Sequence, residues 1–95
     1  MLKAVRDERS FIVESDDANA ENLALDEAIN MAAPHLYNEF HALAPEVDGV
    51  LRWRVQREDW EALLEVLEAL SFEEVNPEEV DEMMEEISAA VKEPV

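Results

Sequence analysis

The sequence contains no cysteine and only one glycine, Gly49, among its 95 residues. Without cysteine, the chain can form neither a disulfide framework nor a metal site with thiolate ligands. With a single glycine, it has no glycine-rich loop of the kind that surrounds phosphate groups in nucleotide-binding proteins. We therefore expect a protein that carries no cofactor and no metal.

Long apolar runs are also missing from the sequence. Its apolar stretches are only a few residues long, whereas a membrane-spanning helix needs about 20 consecutive apolar residues. Residues 1–6 include Lys3 and Arg6 and lack the apolar segment of a signal peptide. We expect a cytoplasmic protein that neither spans nor binds a membrane.

Basic residues are scarce, because 7 Lys and Arg stand against 25 Asp and Glu and give a formal net charge of -18. The resulting field repels DNA, RNA and anionic membranes, and it attracts basic protein surfaces in fast, salt-sensitive association. Direct binding to nucleic acid is therefore not expected. Since 48% of the residues are hydrophobic, we expect residues 1–95 to fold as a single acidic domain with one modest core.

The pattern of apolar residues predicts two strands. Residues 2–14 end in the apolar run 11–13, which is typical of a first strand. Residues 50–55 alternate, with Leu51, Trp53 and Val55 on one face, and this alternation predicts a second strand. Two strands alone make a marginal sheet with open edges. Either they pair beneath the helices, or a second copy of the chain completes the sheet in a homodimer.

Apolar residues spaced three or four apart predict a long helix from about residue 20 to residue 43. Pro34 lies inside this segment, and an interior proline removes a backbone donor and clashes with the preceding turn. We expect a kink at Pro34, or two shorter helices that meet near Ala33.

Two further helices are predicted in the C-terminal part of the chain. One begins near Arg57, and the other begins at Asn76, where Pro77 and an acidic first turn follow a residue that caps helices well. The predicted fold is thus α+β and mainly helical, in the order β-α-β-α-α, with the first helix kinked at Pro34 and a small two-stranded sheet.

Side chains suited to catalysis are few. The two histidines, His35 and His41, are six residues apart, whereas a helical zinc site with two histidines needs a spacing of four. Carboxylates are abundant, but a catalytic acid and base need different surroundings that separate their pKa values, and rows of exposed Glu do not provide them. We therefore expect no catalytic residues and no enzymatic activity.

The negative charge is concentrated toward the C-terminus. Residues 58–95 hold 14 acids and one base, whereas residues 1–57 hold 11 acids and six bases. In both predicted C-terminal helices the acids recur at three or four residues, opposite the apolar stripe, so they align on the outer side of each helix. The predicted partner-binding residues are Glu58, Glu61, Glu65, Glu68, Glu78, Asp81, Glu82, Glu85 and Glu86.

These acidic rows favour binding to a basic protein surface, because carboxylates three or four apart on a helix are about 5–6 Å from one another, a spacing comparable to that of successive phosphates. In this character the chain resembles phage-encoded nucleic-acid mimics such as anti-CRISPR and anti-restriction proteins, and acidic antitoxins or immunity proteins that block nucleases. The resemblance implies an inhibitor that occupies the groove of a nucleic-acid-binding protein.

Two alternatives give the acids no specific partner. In the first, the acidic side chains serve only solubility in a structural or oligomeric domain. In the second, the chain is halophilic, because an acidic surface suits a salt-rich cytoplasm and Arg outnumbers Lys by five to two. Three bases, Arg52, Arg54 and Arg57, are expected to join the second strand to the acidic helices, with neutralisation of nearby acids or a contact patch as alternatives. Met83 and Met84 are expected in the core, with an apolar binding patch as the alternative.

Overall fold

The computed structural model describes residues 2–16, 20–38, 40, 46–47, 50–70 and 75–93. In this part of the chain, four strands form one antiparallel sheet in the order β1-β2-β4-β3. None of the helices described is long and apolar enough to cross a membrane. The elements are β1 (Leu2–Asp7), β2 (Ser10–Ser15), α1 (Ala20–Ala32), β3 (Glu46–Val47), β4 (Val50–Gln56), α2 (Trp60–Ala69) and α3 (Pro77–Val91).

The predicted two-stranded sheet and the predicted β-α-β-α-α order were wrong. The N-terminal segment forms a two-stranded hairpin where a single strand was predicted. The short strand β3 pairs with β4 at the opposite edge of the sheet. The hairpin turn, Glu8 and Arg9, has none of the glycine, asparagine or proline that marks a turn in sequence. Glu8 nevertheless adopts a φ of 53°, a left-handed conformation that costs a residue with a Cβ atom about 1–2 kcal/mol.

The structure does not show a single long helix kinked at Pro34 but the other predicted alternative, shorter helical segments that meet near Ala33. Helix α1 ends at Ala32, and a 3-10 turn follows at Pro34–Leu36. Between them Ala33 has a φ of -147°, because the ring of the next residue disfavours the helical conformation for the residue that precedes a proline. Residues 37, 38 and 40 are helical again. The predicted end of the helix near residue 43 lies outside the described residues.

The sheet has one buried face and one exposed face. In β2, Phe11 and Val13 are buried, and they lie opposite Val55 and Trp53 of β4 in the antiparallel register. The alternate positions of both strands point the other way, as period-two geometry requires. The helices therefore cover the face that carries the large apolar side chains, and the opposite face carries charged residues together with the Val5–Ile12 pair.

Helix α2 lies between α1 and α3 on the buried face of the sheet. Trp60, the first residue of α2, is 1% exposed and meets the ring of Phe11 edge-on at a centroid distance of 4.8 Å. Its indole Nε1 donates to the Val55 carbonyl at 3.1 Å. This bond ties the start of α2 to the end of β4, so the chain turns from the sheet directly into the acidic helices.

Candidate functional site

Helices α2 and α3 form a neighbouring pair at the C-terminal end of the chain. The last helix begins as the sequence predicts, because Pro77 is its first residue and the Asn76 side chain accepts a hydrogen bond from the Glu78 amide at 2.9 Å. The guanidinium of Arg57, just before α2, donates to the Val91 carbonyl at the end of α3 at 3.0 Å. The end of α3 is thus held beside the start of α2, and the two helices run antiparallel.

All nine predicted partner-binding carboxylates are exposed, eight of them on this helix pair and Glu58 on the 3-10 turn Arg57–Asp59 that precedes α2. The opposite side of each helix packs against the core, where Leu63 and Leu67 of α2 and Met83 and Ile87 of α3 are buried. The 3.6-residue period therefore separates acids from core residues in both helices. We call the nine residues the acidic surface: Glu58, Glu61, Glu65, Glu68, Glu78, Asp81, Glu82, Glu85 and Glu86.

Two acids beside the acidic surface have structural partners. Glu79 is half-buried, and its Oε2 accepts a hydrogen bond from the Leu2 amide of β1 at 3.0 Å. Asp59 is also half-buried, and its Oδ1 lies 3.6 Å from Nε2 of His35. Their exposed neighbours Glu78 and Glu58 belong to the acidic surface, whereas these two acids make contacts within the fold.

Arg52 and Arg54 do not join β4 to the acidic helices, so that prediction was wrong for both. Arg52 Nε lies 3.3 Å from Oε1 of Glu14, and Arg54 Nη1 lies 2.7 Å from Oδ2 of Asp7. Glu14 lies on the adjacent strand β2, directly opposite Arg52, because the outward positions of an antiparallel pair face one another. Asp7 lies on β1, one strand further from β4. Lys3 adds a third ion pair on this face, 3.5 Å from Glu14.

Arg57 does make the predicted connection, and Arg6 makes a second one that the sequence did not reveal. The Arg6 guanidinium binds both carboxylate oxygens of Glu93, just beyond α3, at 2.8 and 2.6 Å. The guanidinium carbons of Arg6 and Arg57 lie 5.6 and 4.7 Å from the centroid of the Trp60 ring. Cations at the C-terminal end of a helix are favourable, so these arginines hold α3 in place.

The Arg6 contact makes the stability of the domain depend on pH. The hydrogen bond from Arg6, reinforced by its charge, lowers the pKa of the Glu93 carboxyl below its usual range. A lowered folded-state pKa stabilises the folded protein above the unfolded pKa, and this contribution is lost as the pH falls through the folded value. We expect Glu93→Gln to lower the midpoint of thermal unfolding above pH 5, and the difference from the wild type to vanish once the pH has fallen through the lowered folded-state pKa of Glu93. An equal difference at every pH would contradict this role of the Arg6 contact.

An open groove of 520 Å³ runs between α2 and α3. Leu64 and Met84 are half-buried in its floor and rest against the core. Met83, by contrast, is 3% exposed and belongs to the core itself. Met83 therefore lies in the core as predicted, whereas Met84 is only half-buried, because adjacent residues on a helix point about 100° apart.

The histidines do not form a metal site in the part of the chain that the structure describes. His35 faces Asp59 as a single pair, and His41 lies outside the described residues. Across residues 2–16, 20–38, 40, 46–47, 50–70 and 75–93, no group of three or more His, Cys, Asp or Glu side chains is arranged to hold a metal ion.

No protein-family model, curated protein or solved structure matches this chain. What the protein does must be inferred from its own geometry and charge.

Proposed function

We propose that this chain is a non-enzymatic inhibitor whose acidic surface docks on a basic protein surface that otherwise holds nucleic acid. The distribution of ion pairs supports the proposal most directly. Arg6, Arg52 and Arg54 pair with Glu93, Glu14 and Asp7, all of them outside the acidic surface. These three bases thus hold elements of the fold together, while the nine carboxylates of the acidic surface are exposed.

The spacing of the carboxylates also supports a nucleic-acid mimic. From Glu58 to Glu68 the acids recur every three or four residues over about 15 Å of helix. Neighbouring members are about 5–6 Å apart, which is comparable to the separation of successive phosphates. A groove that binds phosphates through Lys and Arg therefore meets a similar row of negative charges on α2, and a second row on α3.

A cytoplasmic location belongs to the same proposal, because nucleic-acid-binding proteins work there. The negative field of a chain with a net charge of -18 accelerates encounter with such a partner, and salt weakens that attraction.

Two experiments test this proposal: affinity capture of the partner, and displacement of nucleic acid from that partner. With the chain as bait in a cell extract at low salt, we expect a basic nucleic-acid-binding protein to be retained and to elute at about 1 M NaCl, where charges more than about 3 Å apart are screened. The chain should then displace labelled nucleic acid from the purified partner in a fluorescence anisotropy titration. A captured protein that keeps its nucleic acid while it is saturated with the chain would rule out mimicry.

The salt dependence of folding distinguishes this proposal from a halophilic domain. The acidic surface contains eight like-charge pairs at a spacing of three or four residues, which together cost about 2–4 kcal/mol. Raising NaCl from 0.1 to 1 M screens this repulsion and should raise the midpoint of thermal unfolding by about 10 °C. We expect circular dichroism to show a folded protein already at 0.1 M NaCl. A chain that folds only in molar salt would favour the halophilic alternative.

A further inference from the structure

The groove between α2 and α3 combines an apolar floor with acidic edges. Leu64 and Met84 form the floor, and Ala89 is exposed on the α3 side. Glu68 of α2 and Glu85 of α3 line opposite sides of the same groove, and Lys92 lines it near the end of α3. Both acids belong to the acidic surface, so an apolar strip lies between the acidic residues of α2 and those of α3.

This combination is more than a phosphate mimic requires. A partner that recognised charge alone would gain nothing from Leu64 and Met84, whereas an amphipathic helix buries its apolar stripe and keeps charged side chains on its flanks. The groove also lies between two antiparallel helices, the position in which a third helix packs in helical proteins. Methionine suits such a surface because its unbranched side chain adapts to different apolar partners.

We infer that the groove binds a basic amphipathic helix of the partner, whose apolar stripe rests on Leu64 and Met84 and whose Lys and Arg side chains reach Glu68 and Glu85. This inference rests on the proposed function and specifies the element of the partner that enters the acidic surface. Burial of apolar surface contributes affinity that salt does not screen. The acidic edges make the groove selective for a basic helix.

Charge complementarity argues against two other occupants. The same face of a second copy would bring acidic rows against acidic rows, and like-charge contacts across an interface are unfavourable. A small apolar ligand would leave much of its surface in water, because the groove is open to solvent, whereas ligand sites enclose most of the ligand.

Two synthetic peptides of identical composition test the inference on the full chain. One is an 18-residue amphipathic helix of Leu and Lys, and its isomer has the same residues distributed evenly around the helix. We expect the amphipathic peptide to bind at least ten-fold more tightly, a difference of about 1.4 kcal/mol. Met84→Gln, which keeps the length of the side chain but makes it polar, should remove most of this difference.

Met31→Gln is the matched control, because Met31 lies on α1 and is 74% exposed. Ala89→Gln is a second groove variant at an exposed position, in case Met84→Gln alters the fold. Equal binding of both peptides by the wild type would overturn the inference and leave charge-driven docking intact. Failure of both peptides to bind at low salt would overturn the proposed function as well.

Two further outcomes also overturn the inference. One is an equal loss of affinity in the Met31 and Met84 variants, which would assign the effect to exposed methionine in general. The other is a concentration-dependent dimer in analytical ultracentrifugation that Ala89→Gln abolishes, which would make a second copy the occupant of the groove.

Discussion

Replacing both Glu61 and Glu65 by lysine is expected to weaken binding to the captured partner by about 30-fold or more. Both side chains are exposed one turn apart on α2, so each reversal turns an attraction to a basic groove into a repulsion. The fold should persist, because the change removes like-charge neighbours from the helix and touches no core residue. Calorimetric titration measures the affinity, and far-ultraviolet circular dichroism monitors the fold. The pair Glu82→Lys with Glu85→Lys tests the row on α3 in the same way.

The matched control carries the same change of net charge elsewhere. Glu8 in the β1-β2 turn and Glu27 on α1 are both exposed and lie outside the acidic surface. If Glu8→Lys with Glu27→Lys weakens binding as much as the α2 pair does, total charge alone governs the interaction. Unchanged affinity of both the α2 and the α3 pairs would exclude the acidic surface as the docking site.

Replacing Trp60 by alanine is expected to abolish most of the folded population. Truncation of a buried tryptophan costs about 3–5 kcal/mol, against a total stability of about 5–15 kcal/mol for a domain. Trp60 also joins three parts of the molecule, because it packs on Phe11, donates to the Val55 carbonyl and lies beneath Arg57. Urea unfolding followed by circular dichroism should show the midpoint shifted far toward zero denaturant.

Phenylalanine substitutions separate the packing of the indole from its hydrogen bond. Trp60→Phe removes the bond to Val55, whereas Trp53→Phe removes an indole nitrogen that is buried and has no hydrogen-bond partner among the described residues. We expect the Trp60 variant to lose about 1 kcal/mol more than the Trp53 variant. Equal losses would show that the Trp60 bond does not stabilise the domain.

The local sequence pattern was sufficient to predict those elements in which apolar and polar residues recur with an uninterrupted helical or strand period. The exposure of the nine carboxylates followed from their phase relative to the apolar stripe, and the start of α3 followed from Asn76 and Pro77. The hairpin was missed because its turn uses Glu8 in a conformation that its residue type does not signal.

The sequence by itself determined the charge of the protein, the lack of thiol chemistry, and which side of each C-terminal helix is acidic, because these properties depend on composition and on the local period of a helix. Only the tertiary structure decided which acids the arginines pair with, since Glu14 and Asp7 are 38 and 47 residues from their partners Arg52 and Arg54. It also decided that Leu64 and Met84 share one groove. Strand register and helix packing bring distant residues together, and neither can be deduced from the neighbours of a residue along the chain.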